Sequence, residues 1–486
     1  MMEERIKICQ RIMDEIKDLA ALEELVLPPL RAVNHEIPLI NPNLVIRHWP
    51  AKCPEPLREE LRAKIDRYLK AGWWEHTNLP LSTPLLVVFK KDGTIQTVID
   101  AHQRNDNTLA DFTPMLDQET IRSDLARGRF HSKIDGDLSD AYKNMRVSPE
   151  HESRTVFATI FGNLKSRVMQ MGDKNGPATF QWLMNMAFTK EMGVFVHCYQ
   201  DDIFVFSDTL EEHLEHLKIV FDRLRSLKLY LSCNHTKIDI LSVKTDCLGF
   251  IVNDEGIHMD PAKVDLIKNW CTPRSYHDVQ KFNGVIQYLA QFLPQVTNYT
   301  APLTSMCSNN REFVWSDYLE ACFNKLKDLV VKNLVCKLID GRSNVPIWVI
   351  TDALANGTGA LYGQGPTWDT CVPVGYLSRK FTSAQMNYCT WERELLTILE
   401  ALMRWEDKLL GLSFTIVTDH QALTFFKNAP TGSQRQIRWW EYLSRFDYKI
   451  QYLRGDKNLV ADALSCYFAS DEPGKSHSIE RYVNAD

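Results

Sequence analysis

The sequence predicts an α/β (α+β) protein, and three observations predict it. Val194–Val196 and Ile203–Phe206 are apolar, β-favouring runs flanking Cys198–Tyr199–Gln200–Asp201–Asp202, which reads as a hairpin with two adjacent aspartates at its tip. Around it, strand, helix, strand pair, helix and strand follow in the order of a split βαβ unit. Near the C-terminus a second set of strands and helices ends in acidic residues.

Residues 2–25 carry Ile6, Cys9, Ile12, Met13, Ile16 and Leu19 at helical spacing, which predicts an amphipathic packing helix. A Pro-rich extended stretch runs from Leu27 to Pro56, and Leu57–Ala71 reads as a helix ended by Gly72. Leu85–Phe89 and Thr97–Asp100 read as strands joined by a turn at Lys90–Lys91–Asp92–Gly93. That basic tip suits a triphosphate, although lysine turns are commonly only solvated.

The segment Arg129–Tyr142 supplies further carboxylates, among them Asp135, Asp137 and Asp140, and a second hairpin is expected to turn at Gly162–Asn163. Pro177 opens a helix with Phe180, Leu183, Met184 and Ala187 on one face, expected to stop at Gly193. Thr209 and Glu212 form a capping box for the next helix. Asp260 caps a helix with Pro261 at its opening position, and a further helix carries Val279, Phe282, Ile286, Leu289 and Phe292. Lys263, Lys268 and Lys281 lie on these helices, where solvated lysines are common and a phosphate backbone is the sharper reading.

Two adjacent carboxylates at a buried hairpin tip repel one another and resist desolvation. A divalent cation relieves that penalty, and Mg²⁺ favours a few carboxylate oxygens together with water and phosphate. Val345–Asp352 and Phe414–Asp419 are strands ending in aspartate, a helix from about Thr390 to Trp405 carries Glu394, and Asp462 opens a final helix. Strand-end aspartates are usually caps, so spacing alone only suggests that these four converge. Arg435, Arg438, Trp439, Trp440, Arg445 and Lys449 interleave basic and aromatic side chains suited to a nucleic-acid backbone, with an amphipathic core helix as the alternative.

Composition excludes several classes. Lys and Arg number 56 against 62 Asp and Glu, for a formal charge of −6, so a nucleic-acid surface has to be a local basic stripe. The 12 cysteines show neither a C-x-x-C pair nor zinc spacing and read as reduced core thiols. No signal peptide or bilayer-length apolar run is present.

Lys90–Gly93, Asp137–Leu138–Ser139–Asp140–Ala141–Tyr142, Asn175–Gln181, Tyr199–Gln200–Asp201–Asp202 and Leu248–Gly249–Phe250 with Gly256–Pro261 stand in a fixed order. In that order they resemble the reverse transcriptase of gypsy-type LTR retrotransposons, from about Leu27 to Ser465. Thr351–Asp352–Ala353, Glu392–Arg393–Glu394–Leu395–Leu396, Thr418–Asp419–His420 and Ala461–Asp462–Ala463–Leu464–Ser465 resemble the fused RNase H domain. The resemblance implies a right hand of fingers, palm and thumb with a ferredoxin-like palm, followed by an RNase H-like mixed-sheet domain. Its boundaries are an N-terminal helix and arm over 1–45, fingers and palm over 46–253, thumb and linker over 254–340, RNase H over 341–468 and a tail over 469–486.

The resemblance further implies that Asp137, Asp201 and Asp202 hold two Mg²⁺ for nucleotidyl transfer, and that Asp352, Glu394, Asp419 and Asp462 hold two for RNA-strand hydrolysis, with Mn²⁺ as an alternative. Lys90, Lys91, Asp140, Ala141, Tyr142 and Met171 would bind the dNTP, Tyr142 under the sugar unless it is an ordinary core tyrosine. Leu248, Gly249, Lys263, Lys281, Arg435 and Arg438 would bind nucleic acid. The implied partners are RNA template, DNA primer, RNA/DNA hybrid and dNTPs, with no membrane and with a homodimer as one assembly. The implied location is a cytoplasmic virus-like particle, with the nucleus as the alternative. The absence of protease and integrase signatures reads as one slice of a larger polyprotein.

Three departures matter. The chain reads Asp135–Gly136–Asp137 where the family has one aspartate. Spacing to Tyr142 favours Asp137 as the ligand, and upstream spacing favours Asp135. Gln96 and His102 stand where the family has arginines, losing two planar charged forks. They motivate an alternative reading, a decayed or domesticated copy that binds hybrid without polymerising. A third reading is a purely DNA-templated polymerase.

Overall fold

The structure is a computed structural model that describes residues 2–19, 26–89, 95–135, 142–231, 238–253, 256–293, 296–307, 313–332, 335–336, 338–340, 343–353, 357–382, 384–421 and 434–453. It divides into two compact units, Met1–Leu248 with Val252–Asp254, and Gly249–Ile251 with Glu255–Asp486.

Two of the sheets lie wholly within the first unit. Strands β1 (Trp74–His76), β2 (Thr83–Phe89), β3 (Ile95–Ile99), β5 (Phe157–Thr159) and β6 (Gly162–Ser166) form one, in the order β1-β6-β5-β2-β3. Strands β4 (Phe130–Asp135), β7 (Val196–Tyr199), β8 (Asp202–Ser207) and β9 (Ile238–Ser242) form the other, in the order β7-β8-β4-β9. Helix Gly176–Ala187 lies between β4 and β7 in the chain, and helix Leu210–Leu227 lies between β8 and β9. This is the expected split βαβ arrangement with an antiparallel sheet.

Period-two alternation sorts the side chains of that sheet. Ile134, Val196, Cys198, Ile203 and Val205 join Phe180, Leu183 and Met184 of the first helix and Leu217, Val220, Phe221 and Leu224 of the second in one core. Burying each large apolar side chain contributes roughly 1.5–3 kcal/mol, so this layer fixes the register of the acidic hairpin. The Thr209/Glu212 capping box is present, and Pro177 stands in the first turn of its helix as expected.

Several sequence expectations shift. The N-terminal helix ends at Glu15 and continues as a 3₁₀ turn over Lys17–Leu19. The second hairpin turns at Ile160–Phe161, because Thr159 pairs with Gly162 and the Thr159 hydroxyl donates to the Gly162 carbonyl at 2.8 Å. The Pro177 helix ends at Ala187, where buried Phe188 anchors the chain, and Glu191 then organises a turn that reaches Gly193 at φ +77°.

In the second unit, Asp260 accepts from the Ala262 amide at 2.9 Å and caps helix Pro261–Lys268, followed by helix Tyr276–Tyr288. Strands β10 (Ile347–Ala353), β11 (Gly357–Gln364), β12 (Val372–Lys380), β13 (Ser413–Thr418) and β14 (Asp447–Tyr452) form a mixed sheet in the order β12-β11-β10-β13-β14. β10 and β13 are parallel, as are β13 and β14. Helix Thr390–Arg404 packs Leu395, Ile398, Leu399 and Leu402 into the core beside Val349 and Ile416. Among the described residues no helix is long and apolar enough to cross a membrane.

Candidate active sites

The acidic hairpin of the first unit is a two-residue turn, with Tyr199 paired to Asp202 across Gln200 and Asp201. Gln200 adopts φ +55°, a left-handed conformation unfavourable for a non-glycine residue. Fully buried Gln181 supports it, accepting from the Gln200 amide at 2.8 Å and donating to the Cys198 carbonyl at 3.0 Å. From the other side Gln118 donates to the Tyr199 hydroxyl at 2.8 Å. The turn is therefore pinned by two side chains from separate helices.

β4 runs antiparallel to β8, with Asp135 opposite Asp202, so the chain leaves β4 beside the acidic tip. Asp137, Asp140 and Ala141 follow at once but lie outside the described residues, as do Lys90, Lys91 and Asp462. Lys133, two residues before Asp135 in β4, places Nζ 3.4 Å from Asp202 and 3.6 Å from Asp246. The sequence reading gives Lys133 no role, although a Lys-x-Asp strand end carries the signal.

Tyr142 is buried, edge-on to Phe180 with ring centroids 6.3 Å apart. Burial, then the Asp201 charge, pushes its hydroxyl up to about 12. The 3₁₀ turn it opens is held on both flanks. Lys143 donates to the Tyr68 hydroxyl at 3.0 Å, and Arg31 donates to the Asn144 carbonyl at 2.5 Å and the Leu227 carbonyl at 2.8 Å. Met171 is half-buried in the loop before the Pro177 helix. His102 is exposed, its Nδ1 2.6 Å from Asp100.

In the second unit, carboxylate oxygens of Asp352, Glu394 and Asp419 all lie within 4.8 Å of one another. The parallel pairing of β10 with β13 brings Asp352 and Asp419 to adjacent strand ends, and the Thr390–Arg404 helix inserts Glu394 between them. Glu394 Oε1 accepts from the Ala353 amide at 3.1 Å, whereas Oε2 is buried with no hydrogen-bond partner among the described residues. Burial, then the Asp419 and Asp352 charges, push the Glu394 carboxyl well above the ordinary carboxylate range. An orphaned oxygen amid three hard donors fits a divalent cation.

Leu248 and Gly249 both have positive φ, +51° and +81°. Lys263 donates to the Gly249 carbonyl at 2.9 Å and lies over the Tyr288 ring at 5.0 Å, so its ammonium braces that turn. Lys281 and Arg438 are exposed. Arg435 donates to Glu392 at 2.6 Å and lies 3.9 Å from the Tyr388 ring centroid, which ties helix Gln434–Leu443 to the start of the Glu394 helix.

Residues 94–252 match the family described as reverse transcriptase (RNA-dependent DNA polymerase), and residues 342–446 match the RNase H-like domain found in reverse transcriptase. The Retrovirus-related Pol polyprotein from transposon 297 of Drosophila melanogaster is 31% identical over 414 residues, 84% of this chain and 38% of that protein. The Transposon Tf2-3 polyprotein of Schizosaccharomyces pombe is 27% identical over 481 residues, 97% of this chain and 36% of that protein. The chain carries a reverse transcriptase domain followed by an RNase H-like domain of the kind found in reverse transcriptases. It spans under two-fifths of the length of these curated relatives.

This reverse transcriptase shares its fold with a foamy viral protease-reverse transcriptase solved in complex with dsDNA, at TM-score 0.78 and 20% identity, covering 93% of this chain and 94% of that one. The same viral protein in complex with RNA/DNA hybrid gives TM-score 0.73 at 20% identity, covering 98% of this chain and 62% of that one.

Proposed function

We propose that this reverse transcriptase extends a DNA primer along RNA or DNA at Asp137, Asp201 and Asp202, and hydrolyses the RNA strand of the resulting hybrid at Asp352, Glu394, Asp419 and Asp462. The observation that carries the reading is the buried Asp352–Glu394–Asp419 cluster with its unpartnered Glu394 oxygen, a donor set with no role in a purely structural domain. The pairing of Asp135 with Asp202 supports the polymerase half, because β4 ends beside the acidic hairpin and Asp137 follows two residues later in the sequence.

Each acidic set would hold two Mg²⁺, or Mn²⁺ in its place. When bound, such ions supply Lewis acidity at phosphate oxygens and lower the pKa of water. The chain's own residues do the positioning. The Ala353 amide orients Glu394, and Gln181 with Gln118 fixes the hairpin that carries Asp201 and Asp202. In-line phosphoryl transfer depends mainly on such placement and on charge. The dNTP lies against Lys90, Lys91, Asp140, Ala141, Tyr142 and Met171, and Tyr142 excludes a 2′-hydroxyl.

The proposed layout has fingers and palm over 46–253, thumb and linker over 254–340 and RNase H over 341–468. RNA template, DNA primer and hybrid are the partners, reached through Leu248, Gly249, Lys281 and Arg438, with Lys263 and Arg435 bracing the surface. The working location is a cytoplasmic virus-like particle. Incubation with a primed RNA template, dNTPs and Mg²⁺ tests the reading. It predicts full-length DNA and shortened RNA; DNA growth without RNA cleavage would remove the RNase H half, and intact primer would remove the polymerase half.

A further inference from the structure

Beneath the loop that carries Met171 lies a buried charge cluster that the proposed chemistry does not use. Asp173, Arg104 and His35 are respectively 6%, 3% and 1% exposed. Arg104, from the short helix His102–Asp106, bonds Asp173 Oδ1 through Nη2 and donates through Nη1 to Gln170 Oε1 at 3.3 Å. His35 Nε2 lies 3.2 Å from Asp173 Oδ2, which also accepts from the Gln170 amide at 3.2 Å. His35 Nδ1 is 3.1 Å from the Thr179 hydroxyl on the Pro177 helix. Beside Arg104, Asn105 donates to the Gly172 carbonyl at 2.7 Å and accepts from the Lys174 amide at 3.1 Å. Burial alone would raise the Asp173 carboxyl, but the Arg104 charge and the His35 contact more than offset it and hold it low.

Gln170, Gly172, Asp173 and Lys174 of this loop are thus each tied from below through Arg104, Asn105 or Asp173. Gly172 at φ +94° makes the turn that sets Met171 apart. A buried ion pair is a weak source of stability, because apolar residues of similar volume usually do as well or better. What it adds is direction, since a guanidinium fork and a carboxylate lock together in few geometries. We propose that Arg104, Asp173 and His35 are positioning residues that hold the Gln170–Lys174 loop so that Met171 forms a fixed wall of the nucleotide pocket. This inference rests on the polymerase reading, in which Met171 contacts the incoming dNTP.

Single-nucleotide incorporation kinetics test it on the full chain, with Asp173→Asn and the double variant Arg104→Leu/Asp173→Leu beside the wild type. Hybrid cleavage and thermal unfolding are measured on the same samples. The double variant removes both charges but leaves the Gln170 amide and His35 Nε2 without their acceptor, so its unfolding midpoint is expected to fall less than that of Asp173→Asn, which strands Arg104. Both are expected to raise the KM for dNTP about tenfold with kcat changed less than about threefold, and to leave hybrid cleavage intact. A wild-type KM in either folded variant overturns the proposal, because the loop would then hold Met171 in place without the ion pair. A wild-type protein that extends no primer overturns the polymerase reading itself, and this inference with it.

Discussion

Replacing Glu394 by glutamine should abolish hybrid cleavage and at the same time stabilise the metal-free protein. The side chain keeps its shape, and Oε1 still accepts from the Ala353 amide, so the change removes charge and little else. At the outer separation of 4.8 Å, a like-charge pair repels by roughly 3.5 kcal/mol at an effective dielectric constant near 20. Asp419 is partly exposed, and ions screen the cluster, so a net relief of about 1–2 kcal/mol is the reasonable scale. At about 2–4 °C per kcal/mol for a unit of this size, the midpoint in EDTA should rise by roughly 2–8 °C. The sign with pH follows from the raised Glu394 carboxyl. The folded state holds this proton more tightly than the unfolded chain, so the penalty is absent in acid and develops as pH rises from the unfolded value into the raised range. Thermal unfolding at pH 7.5 with EDTA and with MgCl₂ reads both effects. Wild type should gain from Mg²⁺ and the variant should gain much less. An EDTA midpoint at or below wild type, or a wild type indifferent to Mg²⁺, would refute the charge-cluster argument.

Other expectations follow from the first unit. Gln181→Leu leaves the Gln200 amide and Cys198 carbonyl unpaired, which should cost about 1–3 kcal/mol and slow primer extension at least about tenfold, with hybrid cleavage unchanged in the same assay. His213 lies buried between Ser132 and Ser207, and burial, then His131 and His216, pushes its pKa down to about 3. The unfolded chain therefore binds this proton first, and stability should fall from about pH 6.5 toward pH 3 by up to about 1.4 kcal/mol per pH unit. Denaturant unfolding across that range should show a shallower slope for His213→Gln. Arg31→Met leaves the carbonyls of Asn144 and Leu227 without their donor, and dNTP-versus-rNTP incorporation should become less selective as the Tyr142 turn loosens.

Much of this architecture was legible because the sequence repeats its message at several levels. The Thr209 box, Pro177 and Asp260 mark helix starts by chemistry that operates locally, and each stands where expected. The acidic hairpin and the strand-end aspartates were visible as residue types, and family order gave them partners. Local signals failed where one particular side chain decided the outcome. The Pro177 helix stops early because Phe188 is buried, and the second hairpin turns two residues early because Thr159 bonds Gly162. Lys133, Arg31 and the Arg104–Asp173–His35 cluster are not legible in the sequence because their partners lie far away along the chain. Arg435 and Lys263, expected to contact nucleic acid, also engage Glu392 and the Gly249 carbonyl.

The most direct measurement uses one tube and two labels. A hybrid with a recessed DNA primer reports DNA growth and RNA shortening together for wild type, Asp201→Asn and Asp419→Asn. Two separate acidic centres predict that Asp201→Asn stops only DNA growth and Asp419→Asn stops only RNA cleavage. Loss of both activities in either folded variant, or survival of both, would contradict the account.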